Sequence, residues 1–473
     1  MLTTLVSFVV LLLILIFVHE LGHFLAAKLL GVGVEKFSLG FPPKIFCKKF
    51  GETEYQLAWL PLGGYVKLLG EEPGKIIPPE DLHRSFMHKP YWIKAIVVLA
   101  GPFFNIFFAI FALWILSWVV GIQHVAPIIG PLDPTSPAAQ AGLQINDIVL
   151  EVNGQKISYF DEILDLQTQS AGEPLNLLVS RDGLSKEIQI TPVLKEGTTL
   201  LGDQEKYWDA GFTSRILPIV SQAIPGKPAA AAGLQEMDYI TSVNGQPVSD
   251  WSEVVKIIRG VDTLEPGLTE HQDQVPEARP IEIKAYRFNV LHTFTITPSL
   301  EPSQNLSGET IYTPIIGISP KISLEKESIG PIRAFKIAVT DSWRMASLTV
   351  LSLVKLVQAK ISTKVMGGPI MIAEVAGMKA REGIADFIWL MAFISVNLAI
   401  INLVPLPILD GGQFVIFTIE WIKRKPLNDN VKGISQWIGI TALVALMILV
   451  FYNDISRLVT RFSGPPTQIE RTE

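Results

Sequence analysis

Residues 17–24 read FVHELGHF and contain an H-E-x-x-H motif at the end of a long apolar run. No charged residue occurs in residues 2–18, so the run predicts a helix that spans a lipid bilayer. Side chains four positions apart share one face of a helix, so His19 and His23 can bind the same zinc ion. Glu20, which lies between them, is suited to act on water at the metal. The stretch therefore predicts a zinc site inside a membrane.

The composition agrees with a membrane protein that also has a soluble portion. Of the 473 residues, 49% are hydrophobic and only 18% are charged, and the mean hydropathy is +0.37. The net charge of −6 gives no reason to expect nucleic-acid binding. Cys47 is the single cysteine, which excludes an intramolecular disulfide. The N-terminus has neither a basic region nor a small-residue cleavage site, so we expect a retained membrane helix and not a cleaved signal peptide.

Four apolar segments are long enough to cross a bilayer, which takes about 20 helical residues. They cover residues 2–30, 93–121, 387–404 and 434–452. Basic residues cluster in the loops after the first and third segments, which predicts that both loops are cytoplasmic. The long region between the second and third segments is then on the opposite side. The basic residues of the two loops are Lys36, Lys44, Lys48, Lys49, Lys67, Lys75, Arg84 and Lys89, followed by Lys423, Arg424, Lys425 and Lys432.

Residues 32–69 are punctuated by glycine and proline and do not fit a helix. Runs with strand character at 44–50 and 54–60 are joined across Gly51, Glu52 and Thr53, which predicts small antiparallel strands beside the metal helix. Strand edges cannot face lipid. We therefore expect these strands to be covered by protein, to line a cavity or to stay near the membrane interface.

An internal repeat lies between the second and third apolar segments. The sequence PAAQAGL at 137–143 recurs as PAAAAGL at 228–234, and VNG at 152–154 recurs at 243–245. Asp147 matches Asp238 in the same register, so each pair is 91 residues apart. This predicts two copies of one small domain, each with a short helix, a strand, an Asn-Gly turn and another strand. Residues 266–280 read as a flexible insertion in the second copy.

The remaining segments complete the predicted order. Residues 333–361 have a helical pattern with apolar and basic faces, which fits either a helix on the outer membrane surface or one packed on the soluble domains. The order is a first membrane helix over 1–31, a β-segment over 32–70, a cytoplasmic loop over 71–92, a second helix over 93–121, repeats over 125–212 and 213–302, a linker with the amphipathic helix over 303–386, a third helix over 387–412, a cytoplasmic loop over 413–433, a fourth helix over 434–455 and a tail over 456–473.

Asp410 is the candidate for a third metal ligand, because a catalytic zinc site usually has three protein ligands. It lies in NLVPLPILDGG at 402–412, and an acid in an apolar membrane segment is a functional hypothesis by default. The first and third helices run in the same direction, so His19 and Asp410 approach the same depth. A capping or inter-helix hydrogen bond is the alternative for Asp410. Asn397 and Asn402 can hold a substrate backbone or an oxyanion, or can join helices by hydrogen bonds.

These residues together carry a family resemblance. HELGH at 19–23, GPFFN at 101–105 and NLVPLPILDG at 402–411 resemble the site-2 protease family of intramembrane zinc metalloproteases. The repeats resemble bacterial, circularly permuted PDZ domains. The resemblance implies a polytopic α-helical membrane protein with four transmembrane helices, a membrane-re-entrant β-segment and two periplasmic PDZ-like α+β domains. It implies one Zn²⁺ per chain held by His19, His23 and Asp410, a catalytic Glu20, and substrate handling by Asn397, Asn402, Pro405 and Pro407.

The resemblance also implies a substrate class and a location. The family role is cleavage of single-span membrane proteins after their outer part has been trimmed, above all the anti-sigma factor of the sigma-E envelope stress response. The expected location is the bacterial inner membrane. The PDZ-like domains would act as a size filter, bind a newly exposed carboxyl terminus, or serve as spacers. Two other hypotheses are a non-enzymatic membrane scaffold or receptor, which has no need of Glu20, and a metal transporter.

Overall fold

A computed structural model describes residues 2–71, 77–199, 202–260, 263–264, 277–304, 310–322 and 324–462. The α-helices are α1 (Leu2–Leu29), α2 (Tyr91–Val120), α3 (Pro137–Gln140), α4 (Phe160–Gln169), α5 (Pro228–Ala231), α6 (Trp251–Arg259), α7 (Pro331–Val357), α8 (Pro369–Glu382), α9 (Ile384–Asn402), α10 (Asp410–Lys423) and α11 (Asp429–Phe462). Short 3₁₀ helices cover Pro79–Arg84, Phe86–His88 and Thr363–Val365.

The strands are β1 (Val34–Phe50), β2 (Thr53–Leu68), β3 (Ile122–Val125), β4 (Ile148–Val152), β5 (Gln155–Lys156), β6 (Leu175–Arg181), β7 (Leu184–Ile190), β8 (Val193–Thr198), β9 (Gln204–Asp209), β10 (Val220–Ala223), β11 (Tyr239–Val243), β12 (Gln246–Pro247), β13 (Thr263–Leu264), β14 (Glu277–Ala278), β15 (Ile281–Arg287), β16 (Val290–Ile296), β17 (Ser299–Gln304), β18 (Thr310–Ile315), β19 (Ile318–Pro320) and β20 (Leu324–Glu327). The chain forms two compact units, the first from Met1–Gly121 with Ser328–Arg457 and the second from Ile122–Glu327 with Leu458–Glu473.

The first unit contains the membrane helices. Among the described residues, four helices are long and apolar enough to cross a bilayer, namely α1, α2, α9 and the part of α11 from Asn430 to Val459. The prediction of four membrane helices is therefore confirmed. α2 packs against both α1 and α9. Two buried clusters join these helices, one around Leu11, Leu15 and Leu390 and the other around Ala109, Leu113 and Val396.

α7 and α8 pack directly on the membrane helices. α7 contacts α2 and α9, and the indole N–H of Trp114 donates to the Pro331 carbonyl at 2.9 Å. The two alternatives for residues 333–361 were a helix on the outer membrane surface and one packed on the soluble domains; the partners observed are the membrane helices α2 and α9. The hydrophobic pattern showed that this helix has a face to bury but did not show which partner covers it.

α8 lies against α1 and is held at its start by α11. The buried Asp454 carboxylate accepts hydrogen bonds from the backbone N–H groups of Gly368 and Ile370, each at 2.9 Å. It thereby caps the first turn of α8 from a different helix. The backbone of Gly377 in α8 approaches Thr4 of α1 so closely that a Cβ would lie 2.5 Å from the Thr4 hydroxyl.

β1 and β2 form a long hairpin whose turn is at Gly51 and Glu52. The two predicted short strands are parts of these longer ones. Near the turn, Phe50 pairs with Thr53 and Lys44 with Ala58. The first half of β1 lies between two parts of β2 and pairs with both. Ser38, for example, is opposite Gln56 on one side and Tyr65 on the other. Four chain segments therefore lie side by side, with residues 44–50 and 64–68 on the outside.

The second unit contains the repeat. The first copy has a four-stranded sheet in the order β5-β4-β6-β7, and the second has the matching order β12-β11-β15-β16. α4 and α6 occupy equivalent places after β5 and β12. Each copy has its own core, built around Val149, Val152 and Leu177 in the first and around Ile240, Val243 and Ile283 in the second. The 91-residue repeat thus corresponds to two similar folds.

A buried ion pair recurs in both copies. Arg181 donates from Nε and Nη2 to the Asp147 carboxylate at 2.7 and 2.6 Å, and from Nη2 to the Gly142 carbonyl at 2.8 Å. Arg287 makes the same contacts with Asp238 and the Gly233 carbonyl. Hydrogen bonding to Asp147 raises the pKa of Arg181 above its ordinary value. Of the predicted insertion, residues 266–276 lie outside the described residues, as does 463–473 of the predicted tail.

Two predicted segments differ from the structure. The third helix, predicted over 387–412, ends at Asn402, and a loop follows at 403–409, so Asp410 is the first residue of a separate helix, α10. α10 occupies much of the predicted loop over 413–433 and packs on α2. Phe417 of α10 also contacts Phe86, in the 3₁₀ helix Phe86–His88, edge-to-face. The prolines and glycines near Asp410 indicated a turn. The helix that follows the turn was not predicted, because it buries only one of its faces.

Candidate metal centre

Two histidines of α1 and one aspartate of α10 meet in the first unit. His19 Nε2 and His23 Nε2 are 3.3 Å apart. Asp410 Oδ2 lies 3.3 Å from His19 Nε2 and 3.6 Å from His23 Nε2. Among the described residues, these three side chains form the one group of His, Cys, Asp and Glu whose ligand atoms are close enough to hold a metal ion. The structure therefore brings together residues almost four hundred positions apart.

Two glycines let Asp410 reach the histidines. A Cβ on Gly411 would lie 2.2 Å from the Leu403 carbonyl oxygen, and a Cβ on Gly412 would lie 2.0 Å from that of Leu406. Only glycine allows the 403–409 loop to fold this closely onto the start of α10. The Gly-Gly pair after Asp410 thus fixes the position of the carboxylate.

Backbone and side-chain partners orient the two rings. His23 Nδ1 lies 2.8 Å from the Val97 carbonyl of α2, so Nδ1–H donates and Nε2 is left with its lone pair. His19 Nδ1 lies 3.2 Å from the Asn105 amide nitrogen, and Asn105 Oδ1 is buried without a partner among the described residues. The oxygen and nitrogen of an amide group are told apart only by their hydrogen bonds. If the two atoms of Asn105 are exchanged, its amide oxygen accepts a hydrogen bond from His19 Nδ1–H. Both Nε2 atoms then face Asp410.

Gly101 leaves room for the rings. A Cβ at this position would lie 2.3 Å from His23 Nε2 and 2.8 Å from His19 Cε1. Gly101 and Asn105 belong to the GPFFN stretch that carried the family resemblance, but neither was predicted to be part of the site. Asn105 had a usable signal, since a polar side chain in an apolar membrane helix needs a partner. Gly101 had none, because its role depends on how α1 and α2 pack.

The donor set fits a catalytic zinc ion. Two imidazole nitrogens and one carboxylate oxygen leave a fourth tetrahedral position open. Asp410 Oδ2 is buried and has no hydrogen-bond partner among the described residues, so a cation satisfies an acceptor that is otherwise unpaired. The side chains of His19, His23 and Asp410 are 13%, 14% and 18% exposed, which leaves the centre reachable.

Glu20 lies beside this group. The residue is 9% exposed, and it is close enough to His23, His19 and Asp410 to interact with each electrostatically. The hairpin closes one side, because a Cβ on Gly64 of β2 would lie 2.9 Å from Glu20 Cγ. An acid next to a three-ligand centre is an arrangement that suits metal-assisted hydrolysis, since the acid can act as the general base.

The sequence profile of peptidase family M50 matches residues 7–446. The chain belongs to peptidase family M50. It is 34% identical to the "Regulator of sigma-E protease RseP" of Escherichia coli and 35% identical to the "Protease RseP" of Yersinia pestis, each over 96% of this chain and 98% or 99% of the relative. It is 31% identical to a "Putative zinc metalloprotease" of Ralstonia nicotianae, over 96% of this chain and 98% of the relative.

Membership of family M50 makes the chain a peptidase, with zinc as the metal that its relatives' names indicate. The prediction of a zinc metalloprotease is confirmed. The comparisons support this hypothesis and not the alternative of a non-enzymatic scaffold. The roles of His19, His23 and Asp410 as metal ligands and of Glu20 as the catalytic acid or base stay predictions, which the distances given above support.

The four residues predicted to handle substrate occupy different places in this M50 peptidase. Asn402 Nδ2 lies 3.4 Å from His19 Nε2, next to the metal centre. Asn397 instead accepts a hydrogen bond of 2.5 Å from the Thr349 hydroxyl of α7, which is the inter-helix contact considered as its alternative. Pro405 and Pro407 lie in the 403–409 loop.

Proposed function

We propose that this M50 peptidase is an intramembrane endopeptidase in which His19, His23 and Asp410 hold one zinc ion and Glu20 is the catalytic base. The observation that carries the proposal is the meeting of three ligand atoms beside a buried acid. His19, His23 and the acid Glu20 lie on a helix with no charge in residues 2–18, and Asp410 comes from α10. Placing polar and ionisable side chains in an apolar membrane helix costs several kcal/mol of free energy unless they have a partner. A bound metal ion is such a partner.

The chain's own residues perform distinct tasks. Zinc, when bound, supplies Lewis-acid activation of water and of the scissile carbonyl. Glu20 accepts a proton from the attacking water on its carboxylate and delivers it to the leaving amine. The Asn402 amide N–H, next to His19, donates to the carbonyl oxygen as negative charge develops there. Val97 and Asn105 hold the rings in place.

The hairpin presents the substrate. A membrane helix hides its peptide carbonyls in internal hydrogen bonds, so it must unwind before attack. Residues 64–68 lie at the outside of the β1–β2 arrangement next to Glu20, and among the described residues no further strand pairs with them. An unwound substrate can add to this edge as a strand. Exposed apolar side chains at Phe46, Trp59 and Leu60 support insertion of the hairpin into the membrane.

The substrates we propose are single-span membrane proteins whose outer part has already been removed. Relatives from Escherichia coli and Salmonella typhi are named as regulators of sigma-E, which favours a membrane-bound anti-sigma factor as the main substrate. The bacterial relatives and the four apolar helices favour an inner-membrane location. The basic loops after the first and third spans favour a second unit in the periplasm.

The two repeats then act on the periplasmic side as PDZ-like domains. Their matching sheets and helices support this assignment. In the second copy, a cavity of about 200 Å³ lies between α6 and residues 313–318 and is lined by Val254, Ile258 and Ile316. A groove between a helix and a strand suits a chain terminus. Amidation of the terminal carboxylate of a trimmed substrate should slow cleavage if the groove captures that terminus, whereas a size filter responds only to the bulk outside the membrane.

Replacement of Glu20 by Gln tests the proposal. The variant keeps the volume and polarity of the side chain but cannot accept a proton, so it should retain zinc. It should also cleave a co-expressed single-span substrate about 10²–10⁴-fold more slowly. Glu196→Gln, at an exposed position in the second unit, is the matched control and should cleave normally. Normal cleavage by the Glu20 variant would refute the assignment of the base.

A further inference from the structure

A cavity of about 690 Å³ lies between the start of α2 and the end of α10. Its walls include Tyr91 and Lys94 from α2, Phe417 and Trp421 from α10, and Arg424 and Lys425 just after α10. This volume is typical of sites that bind small molecules, which range over about 300–1,000 Å³. The proposed peptidase mechanism makes no use of this cavity.

The cavity is positively charged. Lys94, Arg424 and Lys425 line it, and within the described ranges none of these three cations forms an ion pair. Glu420 is the acid in its wall, and the Lys432 ammonium already neutralises that carboxylate at 2.7 Å. Three cations with one neutralised acid favour an anionic ligand.

Aromatic side chains give the cavity rigid walls. Tyr91 and Trp421 stack with their ring centroids 5.1 Å apart and their planes at 17°. The Tyr91 hydroxyl lies 3.0 Å from the Thr418 hydroxyl, which joins α2 to α10. Lys94 Nζ lies over the Phe417 ring, 5.5 Å from its centre, so a cation–π contact holds the ammonium group in the wall of the cavity.

The same residues mark the boundary between membrane and water. Lys94 is the fourth residue of α2, and the rest of this membrane helix carries no charged side chain. Tyrosine and tryptophan concentrate where lipid headgroups lie. Trp421 and Ile422 in the cavity wall are 60% and 68% exposed. A ligand with an anionic head and apolar chains matches both the charge and the exposed apolar rim.

We propose that this cavity binds the phosphate headgroup of an anionic phospholipid. The inference rests on the proposed membrane position of α2 and is independent of the catalytic assignment. Lys94 and Arg424 contact the phosphate, with the Arg424 guanidinium suited to two hydrogen bonds. The acyl chains lie on the exposed rim. Because α10 begins at Asp410 and ends at this cavity, the lipid fixes the far end of the helix that carries a proposed metal ligand.

Native mass spectrometry of the full-length protein in a neutral detergent tests the proposal, with phosphatidylglycerol, phosphatidylcholine and inorganic phosphate added separately. The wild type should retain one phosphatidylglycerol in preference to phosphatidylcholine. Each cation near a membrane surface contributes about fivefold to anionic-lipid binding. The double variant Lys94→Gln and Arg424→Asn should therefore lower the preference about 25-fold. Asn is chosen because Arg424 has φ +54°, which Asn tolerates.

The control is Lys48→Gln with Lys49→Gln, which removes the same charge from exposed positions near the hairpin turn. It should leave the preference unchanged. An equal loss in both double variants would show diffuse attraction and overturn the proposal, as would an absence of preference in the wild type. Displacement of the lipid by inorganic phosphate at equal concentration would show a site for free anions instead. The single variant Arg424→Asn, at an exposed position, repeats the test if the double variant unfolds.

Discussion

Gly101→Ala should separate the metal centre from the rest of the fold. The added methyl group would lie 2.3 Å from His23 Nε2 and 2.7 Å from His23 Cε1. Ordinary van der Waals contact begins at 3.4 Å, so the His23 ring must move by about 1.1 Å or α2 must move away. The His23 ring cannot move freely, because its Nδ1 is hydrogen-bonded to the Val97 carbonyl. Val97 lies on α2, one turn before Gly101.

The size of the effect follows from this displacement. Metal–ligand distances tolerate changes of about 0.2 Å, which is well below the movement required. Disturbing the partner that orients a histidine ligand typically lowers metal affinity about 10–100-fold. Gly101→Ala moves the ligand itself, so we expect a loss of zinc affinity at the upper end of this range. The rest of the helix should persist, because alanine is a better helix former than glycine.

The assay is a competition between the purified protein and a zinc chelator, read by elemental analysis of the bound metal. Thermal unfolding of the metal-free protein is measured in parallel. Gly433→Ala is the matched control, since a Cβ at Gly433 in α11 meets no atom within 4 Å. The reasoning would be refuted if Gly101→Ala bound zinc as tightly as Gly433→Ala and cleaved substrate at the same rate.

Three further changes test separate parts of the structure. Asn105→Ala removes the partner of His19 and should lower zinc affinity about 10–100-fold, measured by the same competition; unchanged affinity would exclude a role in orienting the ring. Arg181→Gln removes the cation that pairs with the Asp147 carboxylate, which is only 1% exposed. The buried charge left behind should destabilise the second unit by about 3–5 kcal/mol, measured by urea unfolding. A shift no larger than that of an exposed Lys→Gln variant would contradict this. Asp454→Ala removes the cap of α8 and should lower stability in detergent by about 1–2 kcal/mol; an unchanged melting temperature would mean that water replaces the cap.

Much of the membrane part was predictable because bilayer thickness imposes its own length scale. A span needs an uninterrupted apolar run, so α1, α2, α9 and α11 could be located without knowledge of their neighbours. α10 and the packing of α7 were not predictable in this way. Both are amphipathic, and a one-sided apolar pattern does not tell which surface will cover it.

The sequence by itself determined the helix that carries His19, Glu20 and His23, because i and i+4 positions share a face wherever a helix forms. It also determined that the region between α2 and α7 holds two copies of one domain, since a constant 91-residue register needs no tertiary information. Asp410 could be proposed from its polarity in an apolar segment.

Only the tertiary structure decided how these pieces meet. The place of Asp410 at the first turn of α10 depends on the close approach of Gly411 and Gly412 to the 403–409 loop. The orientation of both rings depends on Val97 and Asn105 of α2, and the space they occupy depends on Gly101. The physical reason is that these are contacts between helices distant in sequence. Local patterns encode which face of a helix is buried, but not which atom of another helix lies against it.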